Sequence, residues 1–182
     1  MWEGRTVVFA QIVGFELIGL TAKASSRRVS NLDLRRKTIS TVEGNPIQGV
    51  HPYLNFDGQC EKSFKFYEQN LGGKIEAMIP FADSPLAKEV PPDQRNKILH
   101  ASIAIGSAHV LASDGQPDQF EKPQGFHVCL KLGDSAEAER IFNTLADGGV
   151  VRFPIQQTFW AARFGILVDQ FGIPWMINCE KG

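Results

Sequence analysis

The stretch Phe126–Phe153, FHVCLKLGDSAEAERIFNTLADGGVVRF, contains a strand, a helix and the start of a second strand. Its first seven residues, Phe126–Leu132, alternate between two faces, which is typical of a strand with one buried side. Asp134 is a good N-cap, and Glu137 three residues later completes a capping box, so a helix is predicted to begin here. Gly148-Gly149 ends this helix. Its apolar stripe consists of Ala138, Ile141, Phe142 and Leu145.

The same pattern occurs earlier in the chain, where His51–Phe56 (HPYLNF) is followed by Asp57-Gly58 and, at the end of a second predicted helix, by Gly72-Gly73. From cap to first closing glycine there are 15 positions in the first copy (57 to 72) and 14 in the second (134 to 148). The apolar stripe of the first helix consists of Cys60, Phe64, Tyr67 and Leu71. The strands predicted after the two helices are Lys74–Phe81, Ile98–Ile105 and His109–Asp114, and then Val150–Phe153, Ala162–Val168 and Trp175–Cys179.

This internal repeat predicts an α+β fold of two tandem β-α-β-β-β modules, at about 51–115 and 124–180. We assign residues 49–182 to one domain and residues 1–48 to an extension outside it, because 22–48 are polar and turn-rich and show no period. The extension is a flexible tail, a cloning extension or the product of a misassigned start codon, and the pattern leaves these open. Thr6–Leu20 is the segment nearest to a secretion signal, but Gln11 and Glu16 interrupt it.

The composition is that of a globular protein, with 182 residues, 43% hydrophobic and 21% charged, and a net charge of −1. The absence of a basic cluster gives no reason to expect nucleic acid as a partner, and no apolar run is long enough to span a membrane. Cys60, Cys129 and Cys179 are odd in number and far apart, which argues against a disulfide framework or a zinc knuckle. We therefore expect a cytoplasmic protein.

The repeat also relates two histidines. When Phe56 is aligned with Leu132, His51 and His127 fall at the same position, on the strand face opposite to the one that packs on the helix. If a pseudo-twofold relates the modules, both histidines face one cavity. They are either metal ligands or contacts to a bound molecule, because histidine is a common ligand, or they are partly solvated strand residues.

Two groups of residues resemble the PhnB-like branch of the glyoxalase/bleomycin resistance (vicinal oxygen chelate) superfamily. The first is Tyr53–Cys60 (YLNFDGQC) with Phe66-Tyr67, and the second is Thr158–Gly165 (TFWAARFG) with Phe171–Met176 (FGIPWM). The resemblance covers residues from about 50 to 182. It implies that the two modules form a curved, U-shaped mixed sheet around a cavity, that the cavity holds a small-molecule ligand, and that the protein is a homodimer.

The resemblance further implies a divalent metal in the cavity (zinc, nickel, manganese or iron), held by the first and closing strands of the modules. His51 and His127 lie at or within one residue of the first-strand positions, and the nearest candidates on the first closing strand are Ser113 and Asp114. The third ligand would be Asp114 or His100. On the final strand, where the superfamily typically has a glutamate, this chain has Met176 or Ile177. The ligand set is therefore incomplete, and two imidazoles alone bind zinc or nickel weakly.

Further candidates for substrate contact are His100, Tyr53, Trp160 and Arg163. His100 is opposite in phase to its apolar neighbours and is expected to face the cavity. Trp160 is either part of the core or part of a ligand-lining wall. Arg163 either binds an anionic substrate, since guanidinium suits carboxylate and phosphate, or pairs with a surface acid. His109 follows a turn and is expected to be exposed.

Sequences of this branch are often labelled 3-demethylubiquinone-9 3-methyltransferases, but no strand here is followed by a glycine-rich loop that opens a helix. We therefore expect no nucleotide cofactor. Fold alone does not settle function, and two hypotheses remain. One is a metal-assisted enzyme of lyase, isomerase or dioxygenase type. The other is a metal-free protein that binds or sequesters a small molecule. Whether the chain is an enzyme stays open.

Overall fold

The computed structural model describes residues 47–115 and 120–181. Residues Ile47–Gly182 form one compact unit. The predicted extension lies outside the described residues, apart from Ile47 and Gln48. Among the helices of the described ranges, none is long and apolar enough to cross a membrane.

The first module is one helix and a four-stranded sheet. Its elements are β1 (Tyr53–Phe56), α1 (Cys60–Leu71), β2 (Lys74–Pro80), β3 (Ile98–Ile105) and β4 (Ala108–Asp114). The strand order is β1-β4-β3-β2. Strands β1 and β4 run parallel, and the other neighbours run antiparallel. Three short 3-10 helices connect β2 to β3: Phe81–Asp83, Pro85–Lys88 and Pro92–Gln94.

The second module repeats this architecture. Its elements are β5 (Val128–Leu132), α2 (Ser135–Ala146), β6 (Val150–Gln156), β7 (Ala161–Val168) and β8 (Pro174–Glu180). The strand order β5-β8-β7-β6 matches that of the first sheet. The predicted α+β fold of two tandem modules is confirmed, with the strands arranged as two four-stranded mixed sheets.

The two helices begin differently. At α2 the Asp134 carboxylate accepts a hydrogen bond from the Glu137 backbone N–H at 2.7 Å, as a capping residue does. The Glu137 side chain pairs with Arg140 instead of returning to the cap, so half of the predicted capping box is formed. At α1 the residue before the helix, Gln59, makes no side-chain cap. The hydrogen-bond acceptor for the N-terminal end of α1 is the carboxylate of Asp114, the last residue of β4.

One hydrophobic core joins the two modules. Helix α1 packs on β3, β2 and β4, and helix α2 packs on β7, β8, β6 and β5. The buried Tyr67 of α1 also reaches the second module, where its ring lies 5.3 Å from that of Trp175 on β8. The helix-covered sides of both sheets therefore share one interior.

The opposite side of each sheet is not covered by any helix of the described ranges, and we call it the uncovered face. Alternation along the strands assigns its residues. On the first sheet they are Tyr53, Asn55, His100, Ser102, His109, Leu111 and Ser113. On the second sheet they are Cys129, Lys131, Phe153, Phe164, Ile166, Met176 and Asn178. The helix-covered sides of both sheets contribute to one buried cluster, and the uncovered faces do not.

Candidate functional site

The uncovered face of the first sheet carries a histidine-rich group. The ring centroids of His51 and His109 are 5.5 Å apart in an edge-to-face arrangement. His109 Nε2 lies 3.2 Å from Glu76 Oε2, and the rings of Tyr53 and His100 are 6.2 Å apart. His51, Tyr53 and His100 were all predicted to share this face.

Glu76 and His109 were missed by the sequence reasoning. The phase of β4 was a usable signal for His109, because it alternates with Val110 and Ala112, which are buried. Its side chain is 43% exposed. Glu76 gave no such signal, since a register shift between Ile75 and Ala77 interrupts the regular alternation of β2.

The uncovered face of the second sheet is aromatic. Four rings, which we call the ring cluster, follow one another at 4.5 Å (Phe159 to Trp160), 5.4 Å (Trp160 to Phe164) and 5.7 Å (Phe164 to Phe153). Phe159 is 88% exposed and Trp160 is 49% exposed. Trp160 is therefore a surface residue of this face and not part of the core. A role in lining a ligand site stays a prediction.

Polar groups lie beside the ring cluster on β8 and β5. Asn178 on β8 pairs with Phe164 on the neighbouring strand β7 and with Lys131 on the other neighbour, β5. Lys131 Nζ binds Glu180 Oε1 at 3.0 Å. Asn178 Oδ1 is buried and has no hydrogen-bond partner among the described residues.

Comparison with known proteins decides the family. A profile of the Glyoxalase/Bleomycin resistance protein/Dioxygenase superfamily matches residues 49–177. The chain belongs to this superfamily. Protein YjdN of Escherichia coli (strain K12) is 33% identical over 140 residues, which are 72% of this chain and 95% of YjdN. The prediction from the two motif groups is confirmed.

Solved structures of the superfamily have the same fold. Protein PA1353 from Pseudomonas aeruginosa is 47% identical, with a TM-score of 0.67, over 73% of this chain and 98% of its own. The PhnB protein from Bacillus cereus, named as a 3-demethylubiquinone-9 3-methyltransferase, is 19% identical, with a TM-score of 0.63, over 72% of this chain and 99% of its own. At 19% identity the likeness to PhnB shows the fold alone.

The metal ligands implied by the superfamily do not assemble in one chain. His51 precedes β1 of the first sheet and His127 precedes β5 of the second, and both are exposed. That both histidines face one cavity stays a prediction. In residues 47–115 and 120–181, no three His, Cys, Asp or Glu side chains form a group that could hold a metal ion.

Asp114, predicted as a metal ligand, accepts two backbone hydrogen bonds in the structure. It lies on the helix-covered face and is only 6% exposed. Its Oδ1 accepts the backbone N–H of Cys60 at 2.9 Å and its Oδ2 accepts that of Ile98 at 2.8 Å. Cys60 is the first residue of α1, so Asp114 supplies the cap that Gln59 does not.

Arg163 forms an ion pair with an acidic side chain. Its Nε donates to a carboxylate oxygen of Glu139 on α2, and its Nη1 donates to the Ala162 carbonyl at 2.7 Å. A register shift between Ala161 and Arg163 accompanies this orientation toward the helix. Of the two alternatives left open by the sequence, pairing with an acid is the one that the structure shows.

The cysteines are not arranged as nucleophiles. Burial, followed by the nearby Asp114 carboxylate, raises the pKa of the Cys60 thiol. Burial also raises the pKa of Cys129, partly offset by Lys131. Because the thiolate is the reactive form, neither thiol is activated. Cys179 is buried, and all three thiols are free.

Proposed function

We propose that this superfamily member is a small-molecule binding protein that uses its uncovered sheet faces and does not catalyse a reaction. The observation that carries the proposal is the distribution of side chains between the two sides of the sheets. Aromatic and hydrogen-bonding groups lie on the uncovered faces, as in ligand-lining surfaces. The buried Asp114 and Cys60, which are candidates for chemistry, lie on the other side, where the first caps a helix and the second stays protonated.

The proposal includes a homodimer. A second copy of the chain, placed on an uncovered face, would enclose that face as a cavity. Large apolar side chains exposed at these faces and their rims favour such contact. They include Tyr53 at 46%, Ile79 at 40% and Phe126 at 43% exposure. The superfamily resemblance implies the same state.

A thermal-shift screen with planar and anionic small molecules tests the binding proposal. We expect at least one compound to raise the unfolding temperature in proportion to its concentration, because a ligand that binds only the folded state stabilises it. The matched control is the Tyr53→Ala, Trp160→Ala double variant, which should lose the shift. If no compound in the screen raises the unfolding temperature of the folded wild-type dimer, the proposal is overturned.

A second candidate function, a metal-assisted enzyme of lyase, isomerase or dioxygenase type, is favoured by one contact. The 3.2 Å between His109 Nε2 and Glu76 Oε2 is close to the separation of two donors that share one ion. The His51 ring lies beside them. A divalent ion bound there would act as a Lewis acid on a substrate oxygen. These side chains do not form a three-ligand group as they stand, so the fit is incomplete and we derive no reaction step from it.

Metal analysis of protein purified without an affinity tag separates the two candidates. The binding proposal predicts less than a tenth of an equivalent of Zn, Ni, Mn or Fe per chain. Stoichiometric metal that is lost in the Glu76→Gln and His109→Ala variants and kept in Asp114→Asn would favour the metal-assisted enzyme instead.

A further inference from the structure

We infer that the open cleft between α1 and α2 binds a small organic cation, with a planar amidinium or guanidinium group on a short apolar body. The cleft lies on the helices and shares no residue with the uncovered faces, so the inference goes beyond the proposed function and does not depend on it. Three features carry it: the ends of two helices, an unpaired carboxylate and an apolar patch. The cleft is lined by Phe66, Asn70, Asn143, Thr144, Ala146 and Asp147.

Both helices end at this cleft. Helix α1 ends at Leu71 and helix α2 at Ala146, and the C-terminal end of a helix carries a partial negative charge from its terminal carbonyl groups. A basic side chain in the last turn commonly offsets this charge, but neither helix has one. The described residues that line the cleft include no Lys, Arg or His. The two helix ends therefore leave a negative potential that no lining residue neutralises.

Asp147 adds a full negative charge to the cleft. It directly follows the last residue of α2 and is exposed. Its carboxylate makes no hydrogen bond or ion pair with any residue that the structure describes. Asn143, one turn earlier on α2, is also exposed, and its side-chain amide has no partner within the described ranges. A cation from solvent can therefore reach a free carboxylate and a free amide oxygen on the same helix end.

Arg140 shows which kind of cation suits this region. Its Nη2 donates to the Asn70 carbonyl at 2.9 Å, in the last turn of α1. The same guanidinium donates to both carboxylate oxygens of Glu137 at 2.7 Å, so its charge is offset there and does not compensate Asp147. Amidinium and guanidinium groups hold several N–H donors in one plane, as this contact requires. The charged group of the ligand is therefore predicted to be of this type.

The apolar part of the cleft determines the rest of the ligand. Phe66 and Ala146 are partly buried and pack against the hydrophobic core. The Phe66 ring lies 5.5 Å from that of Phe171 in an edge-to-face arrangement, which holds it in place. The cleft has a volume of about 690 Å³, which is in the range of small-molecule sites. A short apolar body can therefore contact Phe66 while the cation lies at the helix ends.

Benzamidine and benzamide are matched probes, since both are flat and of similar size and only benzamidine is cationic at neutral pH. Amide chemical-shift titration of the full chain should show benzamidine binding about tenfold more tightly, with the largest shifts near Asn143 and Asp147. Asp147→Asn should weaken benzamidine about threefold and leave benzamide unchanged. Asp57→Asn, which removes an exposed carboxylate before the opposite end of α1, is the matched control and should change neither affinity.

Asn143→Lys is a second variant, because it places an ammonium group of the chain itself at the end of α2. It should weaken benzamidine about threefold, while the unfolding midpoint stays at or above that of the wild type, since a cation stabilises a helix C-terminus. Absence of saturable shifts with benzamidine, equal affinity for the two probes, or an unchanged benzamidine affinity in Asp147→Asn would overturn the inference. A screen of planar and anionic molecules without a binder overturns the proposed function and leaves this inference standing.

Discussion

Asp114 connects two separate parts of the first module through one carboxylate. The residue shares the phase of Val110 and Ala112 on β4, both buried, and so it faces α1 and not the uncovered side. The alternation of apolar and polar residues along β4 already showed this phase in the sequence. The prediction of a metal ligand rested on position along the closing strand, whereas the phase of β4 determines which side chains Asp114 meets.

Replacing this carboxylate separates a structural role from a metal role. Asp114→Ala leaves two buried N–H groups without an acceptor and should lower the free energy of unfolding by about 2 to 4 kcal/mol. Ser113→Ala, the neighbour on the uncovered face, should change it by less than about 0.5 kcal/mol. Urea unfolding measures both. Equal stability of Asp114→Ala and the wild type would contradict the capping role.

Tyr67 gives a prediction about pH. Burial, followed by the Asp169 carboxylate that its hydroxyl contacts at 2.6 Å, raises the pKa of Tyr67 well above its ordinary 10.0. The unfolded chain therefore loses this proton at a lower pH than the folded chain, and stability falls as the pH rises above about 10. The loss approaches about 1.4 kcal/mol per pH unit for one proton.

The Tyr67→Phe variant isolates that contribution. It should be less stable than the wild type at neutral pH by about 1 kcal/mol, because the Asp169 carboxylate loses a donor. Above about pH 10 its stability should fall less steeply than that of the wild type. Cys60, whose pKa is also raised, is the same in both proteins and does not affect the difference. Parallel pH profiles of the two proteins would contradict the prediction.

At the scale of elements, the contact of α2 with β7 depends on a glycine. A Cβ at Gly165 would lie 2.5 Å from Phe142 Cε2 and 3.1 Å from the Ile155 Cα. Gly165→Ala should therefore cost about 1 to 3 kcal/mol through displacement of the Phe142 ring. Gly133, where a Cβ would meet nothing within 4 Å, is the matched control. Thermal unfolding of Gly133→Ala should stay within about 2 °C of the wild type.

The order and type of the main elements were predictable from sequence, and the orientation of several side chains was not. The alternation of HPYLNF and FHVCLKL, the apolar stripes and the glycine pairs defined both modules. Phase also placed His100 correctly on the uncovered face. Arg163 keeps the phase of Gly165 and Leu167, which are buried, so its side of the sheet could be read from alternation. Its partner Glu139 and the partner of Glu76, His109, could not be predicted, because they lie on other elements, α2 and β4.

For the whole molecule, the shared core determines which surfaces remain for binding. Asp169 accepts hydrogen bonds from Tyr67 Oη of the first module and, at 2.8 Å, from Trp175 Nε1 of the second. This buried network fixes the modules to each other through their helix-covered sides. The contact lies 102 residues apart in sequence, so the repeat alone could not reveal which sides of the modules meet.

The proposed dimer gives a prediction at this scale. Light scattering should give twice the chain mass of 20.1 kDa. Tyr53→Glu, which places a charge on an uncovered face, should shift the mass toward a single chain, because an unpaired charge in an interface costs desolvation energy. Gln69→Glu, exposed on α1, should leave the mass unchanged. A single-chain mass for the wild type at tens of micromolar would contradict the dimer.

Amide chemical-shift mapping with a compound from the thermal-shift screen tests the central claim most directly. If the uncovered faces bind the small molecule, the largest shifts should fall on their strands, including residues near Phe164, Asn178 and Tyr53. The alternative surface is the open cleft between the helices, lined by Phe66, Asn70 and Asn143 among others. Shifts confined to that cleft, with the uncovered faces unchanged, would contradict the account.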